Sequence, residues 1–160
     1  MLIREFISET NKNKMISDLL KYYKVGSVKV KQKSMKDHAH YNVDTGTLEL
    51  STRYKTIKKR QIEEFLITII HEIYHAMDAK KYGWKKFKDM YEYEMNYRIA
   101  NDQDEYKDNK FEIEAEDFGQ KNWNKVIKGN ILDEVVTDAK NILSFGKEKP
   151  KKDVDKKKKN

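Results

Sequence analysis

His71-Glu72-Ile73-Tyr74-His75 sets two imidazoles four residues apart inside an apolar run. On a helix, residues four apart share a face, so both rings can hold one metal ion. Glu72 sits one step round the helix. It is badly placed to share that coordination and well placed to reach a water on the metal. Two ligands, plus a carboxylate that can take a proton from that water, are the equipment of zinc hydrolysis. The flanking Ile62, Phe65, Leu66, Ile69, Ile70, Ile73, Ala76 and Met77 recur at intervals of three and four, which predicts a helix packed into a core. The bland alternative is a core helix carrying two incidental histidines.

A catalytic zinc site takes a third protein ligand and keeps its fourth position for water. The chain has no cysteine, and no histidine follows His75, so the third ligand is expected to be Asp or Glu. Asp78 faces the same side as His75, but one helix cannot comfortably wrap three ligands round one ion. It reads as a hydrogen-bond acceptor for a ligand histidine or as a helix-end residue. Glu92 and Glu94 lie on the next helical stretch. Glu112, Glu114 and Glu116 lie further on, with Glu112 and Glu116 four apart on one face and Ala115 and Phe118 able to pack inward. One carboxylate of that pair can bind metal while the other orients a ligand histidine through its free ring N–H. Small Ala115 would let this helix approach the central one closely. His38 and His40 could also bind metal, but no carboxylate or cysteine is spaced to complete such a site.

These residues need elements to position them. An apolar stripe of Ile16, Leu19, Leu20 and Tyr23 predicts a first helix from about Ser8 to Tyr23, with Gly26 at a natural stop. Val25 to Met35 alternates and reads as a half-exposed strand. His38–Asp44 and Thr47–Thr52 flank the turn signal Asp44-Thr45-Gly46 and predict a β-hairpin. The central helix is expected from Thr56 to about Lys81, closed by Gly83. Further helices are expected over Trp84–Ala100, Phe111–Ile127 and Ile131–Phe145, with an acidic loop over Asn101–Lys110. The order predicts an α+β domain, a small antiparallel sheet packed on the central helix with additional helices C-terminal to it.

The chain has 160 residues and a formal net charge of +7, enough length for one domain with a real core. Eight lysines against three acids between Lys147 and Asn160 make that tail +5, leaving the other residues at +2. We therefore expect one domain over residues 1–146 and a disordered Lys-rich tail over 147–160. No apolar run is long enough to span a bilayer. The opening Met1-Leu2-Ile3-Arg4-Glu5-Phe6 lacks the apolar core of a secretion signal, so the expected compartment is the cytoplasm.

His71-Glu72-Ile73-Tyr74-His75-Ala76-Met77-Asp78, followed by Glu112-x-x-Ala115-Glu116-x-Phe118, resembles the gluzincin metallopeptidases. Two branches fit: the ImmA/IrrE-type peptidases of phages and mobile elements, and the anthrax lethal-factor-type protease domains. Phe87-x-x-x-Tyr91 and the segment through Asp78 lean to the second; the small size and the hairpin suit the first equally. The resemblance covers roughly Tyr41 to Lys121. It implies a zincin-like fold, Glu112 as the third zinc ligand and Glu116 as the carboxylate orienting a ligand histidine. Gly119 departs from the pattern, which usually has Ala there. The lethal-factor branch places an active-site tyrosine seven residues before the Glu ligand. Here that position is Glu105, and the adjacent Tyr106 becomes the candidate for stabilising an oxyanion, against a plain surface-loop tyrosine.

The expected activity is therefore zinc-dependent endopeptidase action on a protein or peptide substrate, with one Zn2+ per chain and Glu72 as general base. The strand around Thr47–Thr52 is expected to offer the edge on which an extended substrate adds. The acidic stretch Asp102–Asp108 could favour basic substrates, or be only a solvated loop. The alternative is a non-catalytic, zinc-stabilised protein that meets nucleic acid through its basic tail, with salt-sensitive, sequence-independent contacts. The tail has no aromatic residues for base stacking.

Overall fold

The computed structural model describes residues 6–129 and 139–143. The Lys-rich tail and most of the helix expected over Ile131–Phe145 lie outside the described residues. Of that helix, residues 139–143 are helical, with Ala139 and Ile142 buried.

The elements run β1 (Phe6–Ile7), α1 (Glu9–Tyr22), β2 (Lys29–Lys33), β3 (Ala39–Asn42), β4 (Thr47–Ser51), β5 (Ile57–Lys58), α2 (Ile62–Tyr82), α3 (Trp84–Ala100) and α4 (Lys110–Lys128). The chain is an α+β protein. The Ser8 hydroxyl caps α1, accepting from Asn11 N at 3.2 Å. The helix then turns Met15, Ile16, Leu19 and Leu20 into the core. The hairpin turns where expected. The Asn42 side chain accepts from Asp44 N at 3.0 Å, and Gly46 takes φ +65° to return the chain.

β4 is the central strand of a three-stranded sheet in the order β2-β4-β3. The expected antiparallel pairing holds in the hairpin, where Tyr41 pairs with Leu48. β2 departs from it: it lies parallel to β4, with Val30 beside Leu48. The chain crosses from the end of β2 through residues 34–38 to β3 and only then turns back into β4, so β2 and β4 share a direction. This also corrects the expected substrate edge. β4 is paired on both sides, and β3 is the outer strand beside α2.

α2 starts six residues later than its apolar pattern predicts, at Ile62 rather than Thr56. Ile57 and Lys58 pair with Ile7 and Phe6 as a two-stranded ribbon, and Lys59–Gln61 forms a short 3-10 turn. A long-range pairing thus takes backbone that could otherwise have been helical. α2 is buried on nearly every side, with Phe65, Ile69, Ile70 and Ile73 at zero exposure. Gly83 ends it with φ +84°, ψ 138°, a backbone state closed to most other residues, and the chain enters α3 at Trp84.

α4 lies against α2 at unusually close range. Ala115 is fully buried, and a Cβ placed on Gly119 would stand 2.7 Å from the Ile67 carbonyl oxygen of α2. This is the physical reason for Gly119 where the resemblance led us to expect Ala. Among the described residues, no helix is long and apolar enough to cross a membrane.

Candidate metal centre

α2 and α4 together position the chemistry. The 3.6-residue period brings His71 and His75 to one face of α2, their rings 5.0 Å apart. Asn109 caps α4 by accepting from Phe111 N at 3.0 Å. That cap places Glu112 in the first turn, where the helix dipole favours a carboxylate. Close packing of the two helices then puts Glu112 Oε2 2.8 Å from His71 Nε2 and Glu112 Oε1 3.2 Å from His75 Nε2. The three residues are buried and each offers one ligand atom, all within 4.8 Å of one another, so the group could hold a metal ion. Two imidazoles and a carboxylate suit zinc, and other divalent ions can use the same set.

The surroundings fit that reading. His71 Nδ1 lies 3.0 Å from Glu116 Oε2, one turn beyond Glu112 on α4. A carboxylate there fixes the ring and leaves Nε2 for the metal. Glu72 is buried beside the pair, with Oε1 3.9 Å from His71 Nε2. Its other oxygen accepts a 2.6 Å hydrogen bond from the Tyr41 backbone N–H of β3, so the sheet edge holds the general-base candidate in place.

Charge follows geometry. Burial opposes a charge on His71, but the hydrogen bond to Glu112 and the nearby Glu72 and Glu116 carboxylates outweigh it and hold the imidazole up to about 9. Burial likewise opposes a charge on Glu112, and hydrogen bonds from His71, His75 and Tyr91 hold its carboxyl far below the usual range. In the metal-free protein both His71 nitrogens face carboxylates, as an imidazolium requires.

Tyr106 rises from the loop before α4. Burial and the charges of Glu112 and Glu72 push its phenol well above the ordinary value. It lines two cavities that meet at His71, Tyr106 and Glu116. One, of about 280 Å³, runs towards Asp37, His40 and Glu72; the other, of about 510 Å³, towards Lys107, Ile113 and Gln120.

Other candidates are engaged elsewhere. Asp78 is buried and electrostatically coupled to His75, yet its Oδ2 and His75 Nδ1 both lack a hydrogen-bond partner. The structure therefore does not make Asp78 a hydrogen-bond acceptor for His75. Glu94 accepts from Arg98 Nε at 2.8 Å and from Lys110 N at 3.1 Å, and so braces the start of α4. Glu92 pairs with Lys88, and Glu114 accepts from the Tyr74 hydroxyl. His38 lies 2.6 Å from the Tyr54 hydroxyl and pairs with Glu64, while His40 stays exposed, so the two form no metal pair.

Sequence reasoning missed two contacts. One is the Tyr41 N–H on Glu72, a main-chain group with no sequence signature. The other is Tyr91, whose hydroxyl donates to Glu112 Oε1 at 2.6 Å. Its only signal was Phe87-x-x-x-Tyr91, which is equally a packing repeat.

Compared with protein-family models, curated proteins and solved structures, the chain matches none of them.

Proposed function

We propose that this chain is a zinc-dependent endopeptidase of gluzincin type. The observation that carries the reading is the convergence of His71, His75 and Glu112 from two helices, with Glu72 beside His71 Nε2 and Glu116 at its Nδ1. His71 and His75 would hold the ion through Nε2, with Glu112 as the third ligand. Bound there, zinc would supply Lewis acidity, lowering the pKa of a coordinated water towards ~7 and polarising a carbonyl.

The chain's own groups do the rest. Glu72, held by the Tyr41 N–H, takes the proton of the attacking water and returns it to the leaving amine. Glu116 keeps the His71 Nδ1 proton in place, so the ring stays a neutral Nε2 donor. Tyr106 borders the cavity that contains Glu72 and is the donor available to a developing oxyanion. An extended peptide has β3 as the neighbouring free edge to pair with, beside the cavity that contains Glu72. A nucleic-acid role rests on the tail, outside the described residues, and no observation at this site favours it.

The test uses the full chain loaded with one equivalent of zinc and a panel of unstructured protein substrates. Glu72→Gln is expected to keep its zinc and to lose cleavage by about 10²–10⁴-fold. Equal cleavage by wild type and variant would remove Glu72 from the mechanism. Zinc uptake with no cleavage by either would point to a metal that only staples the two helices.

A further inference from the structure

We propose that Tyr91 is a positioning residue that confines Glu112 to one-oxygen ligation, and so keeps a coordination position free for water and substrate. The inference rests on the zinc reading above and concerns how the site stays open.

The Glu112 carboxylate has His71, His75 and Tyr91 at assigned oxygens, and the Tyr106 hydroxyl also reaches it. Oε2 faces His71 Nε2 at 2.8 Å. Oε1 accepts the short bond from the Tyr91 hydroxyl and lies 3.2 Å from His75 Nε2. A carboxylate oxygen that accepts a 2.6 Å bond from a phenol is a poorer second ligand, which leaves the other oxygen for the ion. Without that donor, both oxygens can close on one metal and fill the position that a hydrolytic site keeps for water.

The phenol is built to stay where it is. Its ring centroid lies 6.1 Å from those of His75, Phe87 and Phe111, in a cage made by all three helices of the site. One turn further along α3, Glu94 accepts from the Lys110 N–H at the start of α4. α3 therefore grips the first turn of α4 at two heights. Glu94 sets the backbone that carries Glu112, and Tyr91 sets the rotation of the carboxylate. Tyr106 also reaches Glu112 with its hydroxyl, but it is half exposed in a loop and lines the cleft, whereas Tyr91 is held in the aromatic cage.

The experiment measures metal and not cleavage. Wild type and Tyr91→Phe, as full chains, are titrated with zinc against a chelating dye, and their cobalt(II) forms are compared by visible absorption. Removing a partner that orients a metal ligand is expected to weaken zinc binding about 10–100-fold. The cobalt bands are expected to weaken as coordination rises from four towards five. In a Glu112→Ala background, Tyr91→Phe should have no further effect, because its only route to the metal is then gone. Identical affinity and spectra for wild type and Tyr91→Phe would overturn the proposal, as would an undiminished effect in the Glu112→Ala background. Should the phenylalanine variant fail to fold, ring-fluorinated tyrosine at position 91 keeps the shape and sharpens the donor. A changed zinc affinity then supports the proposal and an unchanged one overturns it. Wild type that takes up no zinc would fail at the earlier step and overturn the metal reading itself.

Discussion

His71 meets a carboxylate at each ring nitrogen, Glu112 at Nε2 and Glu116 at Nδ1. This makes the metal-free protein pH-sensitive in a definite direction. The folded imidazole sits near 9 against an ordinary 6.5, so its contribution is complete below about 6.5 and fades as pH rises through 9. Glu112 is depressed from an ordinary 4.5, so its contribution is complete above that value and fades as pH falls. The two shifts describe largely one interaction. Without metal, the melting temperature should therefore peak between about pH 5 and 6.5 and decline towards pH 9. The expected loss is on the order of 1–3 kcal/mol, a few degrees by calorimetry. A melting temperature that keeps rising from pH 6 to 9 would show that the ion pair does not govern stability. Zinc must also displace the proton on Nε2, so binding should release protons below pH 9. The i, i+4 spacing of Glu112 and Glu116 was legible in the chain, since helical geometry is local. Their meeting with His71 required α4 to find α2.

At the scale of elements, the decisive contact is backbone against side-chain absence. Gly119 is the point where α4 touches the α2 main chain, and a methyl there would press on a carbonyl and not on a side chain that can swing away. Alanine normally gains about 1 kcal/mol over glycine within a helix. Here overpacking against fixed backbone should exceed that gain, so Gly119→Ala is expected to destabilise by roughly 1–2 kcal/mol net and to weaken zinc binding by separating Glu112 from the histidines. Equilibrium denaturation of the metal-free variant checks the first effect and a zinc titration the second. A more stable Gly119→Ala protein would mean that α4 is free to shift outward. The bounds of α3, by comparison, match those read from the chain, with Gly83 before it and helix from Trp84 to Ala100. The start of α2 does not, because β1, some fifty residues earlier, pairs with the very segment that extends its apolar pattern.

Across the whole molecule, the site draws on four separate elements of the chain. The ligands come from α2 and α4, Tyr91 from α3, and the N–H that holds Glu72 from β3. An ion bound there links α2 to α4 in the native state only. Zinc at about 100 times its dissociation constant should then add about 2.7 kcal/mol, or roughly 5–10 °C in melting temperature. A chelator should reverse the gain, and Glu112→Ala should abolish most of it. A melting temperature indifferent to zinc in wild type would argue against a metal at this site.

What the sequence determined by itself is the local chemistry: two imidazoles on one helical face, a carboxylate beside them, a second pair of carboxylates one turn apart, and the hairpin turn at Asn42–Gly46. Each follows from periodicities and turn preferences that act within a few residues. The tertiary structure decided which carboxylate reaches the histidines, which strand lies open beside them, and that a tyrosine from α3 holds the third ligand candidate. Those outcomes depend on the distance between helix axes and on strand order. Both are set by close packing at Ala115, which the sequence suggested, and by the Gly119 backbone contact and the pairing of β4 on both its edges, which no spacing along the chain encodes.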